Sequence, residues 1–183
     1  MTTRDLVRIA LFAAVIGALG LLPKFDLPIA GGVPITAQLL GVMLAGIFLG
    51  ARNGALAVLL FLFVVALGVP LLAGGRGGLG PFYSPSAGFL IGFVPAAFVT
   101  GLVMEQLDKL PISLAAIAAS IVGGILVDYG FGIPVLAWSA NMSLGQAAAA
   151  SILFIPGDLL KAVLAGFVAQ AVYRASPQSV FGR

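Results

Sequence analysis

Asp158 and Lys161 stand three residues apart in Ile155-Pro156-Gly157-Asp158-Leu159-Leu160-Lys161, inside a long apolar segment. The nearest charges on either side are Asp128 and Arg174. An ion at the centre of a membrane helix costs about 2.5–3.5 kcal/mol on insertion scales, so such residues usually face a bundle interior or a cavity. At positions i and i+3 the two side chains share one helical face. Two readings follow: an ion pair that neutralises itself, or a binding site for a small polar solute. Asp158 offers acceptors to N–H donors, and Lys161 can pair with Asp158, donate to a carbonyl or attract a carboxylate. Pro156 and Gly157 free backbone groups for a ligand and let the chain bend. This set suits a solute bearing an amide or urea better than a metal ion, for which a lone carboxylate is thin support.

Catalysis has weaker support. The chain has no histidine and no cysteine, which removes the commonest general base, the commonest zinc ligand and any disulfide framework. A Ser-Lys or paired-carboxylate centre would have to be assembled from distant residues such as Ser86 or Asp128, with no geometry to justify it. No catalytic or metal-ligating residue is therefore assigned, and the chain is not expected to be an enzyme.

The elements that position these residues are membrane helices. Of 183 residues, 61% are hydrophobic and 8% charged, and mean hydropathy is +1.20, against ~25% charged in soluble domains. At ~20 residues per span there is room for about six helices, so the expected fold is all-α: a single transmembrane domain, residues 1–183. The net charge of +3 comes from basic residues scattered singly, which make no nucleic-acid patch. Arg4 and Arg8 before an apolar run also resemble a secretory signal. A retained first helix is the better reading, because the apolar register continues to Leu22 and Ala10, Ala14 and Ala18 form a packing stripe.

Taken in order, helix 1 is expected from about Arg4 to Leu22, with Thr2 or Thr3 as N-cap and Asp5 in the first turn. A loop over 23–33, with Gly31-Gly32, leads to helix 2 from Pro34 to about Gly50, carrying Thr36 and Gln38 in its first turns. Ala51-Arg52-Asn53-Gly54 reads as a tight turn into helix 3, which ends near Val69-Pro70. Residues 70–88 are too rich in glycine and proline to be a lipid-facing span. No Gly-Lys-[Ser/Thr] follows the glycines, so the phosphate-cradle pattern fails; the stretch is either an exterior loop or a lid over a site. Helix 4 is expected from Pro85 to Met104 with Pro95 inside, helix 5 from Ser113 to about Tyr129 with a break over 128–134, and helix 6 from Ser143 to Arg174, interrupted at Pro156-Gly157. Trp138 reads as an interfacial anchor. With the N-terminus cytoplasmic, that side receives Arg4, Arg8, Arg52, Lys109, Arg174 and Arg183, and the outer side Lys24 and Arg76. Six against two puts both termini inside, and the 23–33, glycine-rich and Trp138 loops outside together as a mouth.

Several stretches resemble the BioY family, the biotin-specific substrate-capture (S) components of energy-coupling factor transporters. They are Val33-Pro34-Ile35-Thr36-Ala37-Gln38-Leu39, Leu49-Gly50-Ala51-Arg52-Asn53-Gly54-Ala55, Ala73-Gly74-Gly75-Arg76-Gly77-Gly78, Gly88-Phe89-Leu90-Ile91-Gly92-Phe93 and Phe154-Ile155-Pro156-Gly157-Asp158-Leu159-Leu160-Lys161-Ala162. They come in the family's order. The resemblance implies six membrane helices, a biotin pocket near the outer face closed by loops, and a location in a prokaryotic plasma (inner) membrane. It also implies energy supplied by a transmembrane T component and ATPase subunits, with no cofactor in this chain. It places Asp158 and Lys161 at the ligand, Asp158 receiving a ureido N–H and Lys161 fixing the polar head group. Gly77, Gly78, Ser86, Thr36 and Gln38 are further expected ligand contacts. Ala10 and Ala14 match the Ala-x-x-x-Ala surface that docks on the T component, the alternative being internal helix packing. Where the family commonly has Pro-Thr-Gly-Gly-Tyr, this chain has Pro85-Ser86-Ala87-Gly88-Phe89, which keeps a hydroxyl and loses a phenol; Ser86 is either a ligand contact or the N-cap of helix 4. Two other functions use the same residues: a self-sufficient secondary transporter relaying protons through Asp158 and Lys161, and an S component for another vitamin.

Overall fold

The computed structural model describes residues 1–26, 33–176 and 180. Among these, five continuous helical stretches carry the fold: α1 Thr3–Leu19, α2 Gln38–Ala66, α3 Ala87–Gln106, α4 Ile112–Ser139 and α5 Leu144–Ala175. Between α1 and α2 two short strands, β1 Phe25–Asp26 and β2 Pro34–Ile35, pair antiparallel. α3, α4 and α5 are each long and apolar enough to cross a membrane, and α2 reaches that length with its two limbs counted together. They are apolar all round, the pattern of helices that meet protein on one side and lipid on the other. On α5, Leu160 and Phe167 are exposed while Ala162, Ala165 and Ala169 are buried. Small residues on the inner face let neighbouring helices approach closely.

The expected six helices appear as five stretches because no loop separates helices 2 and 3. The turn is a single residue, Gly50, at φ 76° and ψ 179° inside α2. A Cβ on Gly54 would lie 3.0 Å from the Ala45 carbonyl oxygen, whereas a straight helix holds residues nine apart about 13.5 Å from each other. The two limbs of α2 therefore fold back on one another, and Arg52-Asn53-Gly54 belongs to the start of the second limb. The reversal frees the Ala51 N–H, which donates to Glu105 Oε1 of α3 at 3.1 Å. Glu105→Ala removes this cap and is expected to cost about 1–2 kcal/mol, read as a lower unfolding temperature in detergent; an unchanged temperature would show the contact to be idle.

Other boundaries differ for physical reasons. α1 begins as expected, with Thr2 Oγ1 accepting from the Asp5 N–H and Asp5 accepting from the Thr2 N–H, a capping box. α2 begins at Gln38 rather than Pro34, because Pro34–Ile35 is drawn into β2, so Thr36 lies in the connection. Gly31-Gly32, with the rest of 27–32, lies outside the described residues. The break expected over 128–134 is absent: α4 continues through Pro134 to Ser139, as backbone must where water cannot bond freed groups. The irregularity lies earlier, in a π-helical stretch Ile121–Val127. Ser143 caps α5 in a second box with Gln146. The interruption expected at Pro156-Gly157 precedes it as a 3-10 turn, Ile152–Phe154, because Pro156 has no N–H to return to the preceding turn.

Candidate functional site: a polar hollow between α3, α4 and α5

Two adjoining hollows open beneath β2 and share Val33, Pro34, Thr36, Phe89 and Phe93 as walls. Counted out through their mouths into open solvent, they take in about 400 and 390 Å³ free of protein atoms. The first is bordered by Asp128, Tyr129, Asp158 and Lys161, the second by Gln38, Arg76 and Ser86.

The 3-10 turn and Pro156 restart α5 at Ile155, setting Asp158 in its first turn. Its carboxylate is buried, with the residue 4% exposed. Oδ1 accepts from Lys161 Nζ at 2.6 Å and Oδ2 from the Tyr129 hydroxyl of α4, also at 2.6 Å. The ion pair anticipated from the i, i+3 spacing thus forms, and it borders a hollow; the two readings of Asp158 and Lys161 are compatible. Each carboxylate oxygen keeps a free lone pair and Lys161 keeps donors beyond the one used. Phe89 meets Tyr129 and Phe154 edge-on, with centroids 5.8 and 6.1 Å apart, so an aromatic wall stands over the pair. The phenol lost at Phe89 relative to the family pattern has a counterpart in the same hollow at Tyr129.

The other expected contacts divide. Thr36 borders both hollows. Gln38 borders the second, yet its amide is engaged: Oε1 accepts from the Ala73 N–H at 3.1 Å, and Nε2 donates to the carbonyls of Leu71 and Ile16 at 3.2 and 3.4 Å. It clamps the loop after α2 onto α1. Ser86 occupies the N-cap position of α3 without a side-chain capping bond; its hydroxyl instead accepts from Arg76 Nη1 at 3.4 Å and shares a hydrogen bond with Ser84 at 2.9 Å. Gly77 and Gly78 border neither hollow. Gly78 N–H donates to the Val65 carbonyl at 2.7 Å, and a Cβ on Gly77 would meet the Val69 carbonyl oxygen at 2.5 Å. Both glycines fold the loop onto the end of α2, while Leu72 and Arg76 are what that loop turns toward the second hollow.

Three polar residues of the site did not stand out in the sequence. Tyr129 lies 29 positions before its partner Asp158, in a stretch that reads as a helix break; Asp128 looks isolated; Arg76 reads as a topology charge in a glycine-rich loop. The available signal was Asp128 itself, another ion within an apolar run. Away from the site, Ala10, Ala14 and Ala18 are exposed on α1 while Ile9, Ala13 and Ile16 face inward, so the alanine stripe is not internal packing. Trp138 is 83% exposed and borders neither hollow.

The family model for the BioY family matches residues 1–178. A biotin transporter BioY of Rhizobium etli is 52% identical over 182 residues, spanning 97% of both chains. Another, of Rhodobacter capsulatus, is 50% identical over 190 residues and spans 98% of both. The fold superposes with a TM-score of 0.86 on a crystal structure of the S-component for biotin from an ECF-type ABC transporter, at 29% identity and over 95% of each chain. These relatives are named as transporters, not enzymes. By the extent of the family match and the identity to full-length relatives, the chain belongs to the BioY family.

Proposed function

We propose that the chain captures biotin in the paired hollows and serves as the S component of an energy-coupling factor importer, working with a T component and ATPase subunits. The observation that carries this is the cluster of buried Asp158 and Tyr129 with half-buried Lys161, bordering a hollow that shares Phe89 and Phe93 as walls with the hollow lined by Arg76. Biotin has a cyclic urea at one end, an apolar middle and a carboxylate at the other. Asp158 receives a ureido N–H, Lys161 donates to the urea carbonyl, the phenylalanines cover the apolar middle, and Arg76 receives the carboxylate. Thr36 and Ser86 offer hydroxyls along the way.

Because α2 doubles back at Gly50, the five helical stretches supply six crossings, with both termini on the cytoplasmic side by the count of basic residues and the hollows opening outward. The exposed Ala10 and Ala14 form the face that meets the T component, and the exposed leucines and phenylalanines meet lipid of a prokaryotic plasma membrane. The functional test is labelled-biotin uptake into liposomes. Uptake that requires the T and ATPase subunits supports this reading; gradient-driven uptake by the purified chain alone would overturn it in favour of a self-sufficient transporter.

Arg76 gives a sharper test of how the ligand lies. Arg76→Gln is expected to weaken biotin by about tenfold, or ~1.4 kcal/mol, while leaving an uncharged biotin ester unaffected. Equal losses for acid and ester, or none, would remove Arg76 from the carboxylate.

A further inference from the structure

Asp128 is 2% exposed, it borders the same hollow as Asp158 and Lys161, and its Oδ1 has no hydrogen-bond partner among the described residues. Leaving a buried acceptor unpaired is destabilising, and unsatisfied groups of this kind call for an explanation. Thr100 Oγ1 and Ser120 Oγ are also unpaired, but neither residue borders either hollow. Two further features bear on Asp128. The π-helical stretch Ile121–Val127 ends immediately before it, and an inserted residue turns everything after it by about 100° around the helix axis; π turns of this kind are frequent at functional sites. On the facing helix, position 92 is glycine, where a Cβ would lie 2.5 Å from Asp128 Oδ1. Gly92, which borders neither hollow, thus lets Oδ1 rest against the α3 backbone and leaves the carboxyl its room beside the hollow that Asp128 borders.

Asp158 already accepts from both Tyr129 and Lys161, whereas Asp128, which borders the same hollow, accepts from neither. A cyclic urea presents two N–H donors on opposite flanks of one carbonyl. We infer that Asp128 is a second urea-binding residue: one N–H goes to Asp158 on α5 and the other to Asp128 on α4, so the head group bridges the two helices. This rests on the biotin reading above and extends it to a residue that determines specificity for a urea over a lactam.

The test is calorimetric binding of biotin and of two lactam analogues, each with one ring N–H replaced by CH2. On the wild-type chain both lactams are expected to bind at least about tenfold more weakly, ~1.4 kcal/mol each. In Asp128→Ala, biotin binding is expected to fall by a similar factor, and one lactam, only one, should lose no further affinity relative to biotin. The unfolding temperature of the ligand-free variant should not fall, because the carboxyl makes no bond that folding depends on. Biotin affinity within twofold of wild type, or penalties of substitution and analogue that simply add for both lactams, would overturn the inference. If Asp128→Ala yields no folded protein, the lactams on the wild-type chain decide: a loss confined to one of them leaves Asp158 as sole acceptor and overturns it. A wild-type chain that binds no biotin would instead remove the reading beneath.

Discussion

Asp158→Asn and Lys161→Ala are each expected to weaken biotin binding at least tenfold, about 1.4 kcal/mol. Asp158→Asn keeps an oxygen acceptor but removes the charge that holds Lys161 Nζ at 2.6 Å and the Tyr129 hydroxyl at 2.6 Å. Lys161→Ala leaves a carboxylate buried without its cation, and breaking a buried pair from one side costs about 3–5 kcal/mol, because the survivor's charge is then uncompensated. Both variants therefore act on the ligand and on the site's own organisation. Tyr129→Phe separates the two: it retains the ion pair, removes the hydroxyl that positions Asp158, and should fall between wild type and Asp158→Asn. Calorimetry on folded, detergent-solubilised protein checks the series, and affinities unchanged in Asp158→Asn and Lys161→Ala would refute the assignment.

The second large effect concerns the scaffold. Gly50 sits at φ 76° and ψ 179°, a region essentially reserved for glycine, where a side chain costs about 1–3 kcal/mol in strain. The reversal is hemmed in as well: a Cβ on Gly101 of α3 would overlap the backbone nitrogen of Ala51 and the carbonyl carbon of Gly50. Gly50→Ala is expected to lower the unfolding temperature and the yield of folded protein, while the fraction that folds retains its biotin affinity. Gly130→Ala is the control. Its Cβ would have nothing within 4 Å and it lies within α4, so alanine there should be neutral or mildly stabilising. Thermal unfolding of the two variants that moved together would contradict the special role of Gly50.

What could be read from the chain alone was what is local. Thr2 with Asp5 and Ser143 with Gln146 cap their helices through partners three residues away, and Asp158 meets Lys161 across one turn. All three follow from helical spacing. The hidden parts depend on distance or on the membrane. Arg52-Asn53-Gly54 has turn composition, yet the reversal is accomplished by Gly50, and only the contact between Gly54 and Ala45 reveals it. Pro134 and two neighbouring glycines read as a helix end, but hydrocarbon penalises unpaired backbone enough to carry α4 through them. Motif resemblance points to Gln38, Thr36 and Ser86; the structure sets all three beside the hollows, with Gln38 employed chiefly as a clamp. Gly77 and Gly78 came from the same loop as Arg76, and spacing could not reveal which residue of that loop turns inward.

As proposed, buried Asp158 and Tyr129 and half-buried Lys161 together hold a urea-bearing vitamin. The decisive measurement is a calorimetric titration of biotin into the purified chain, without any other subunit. Saturable, stoichiometric binding that is sharply weakened in Asp158→Asn is expected. Absence of binding in the folded wild-type chain, or binding indifferent to Asp158 and Lys161, would contradict it.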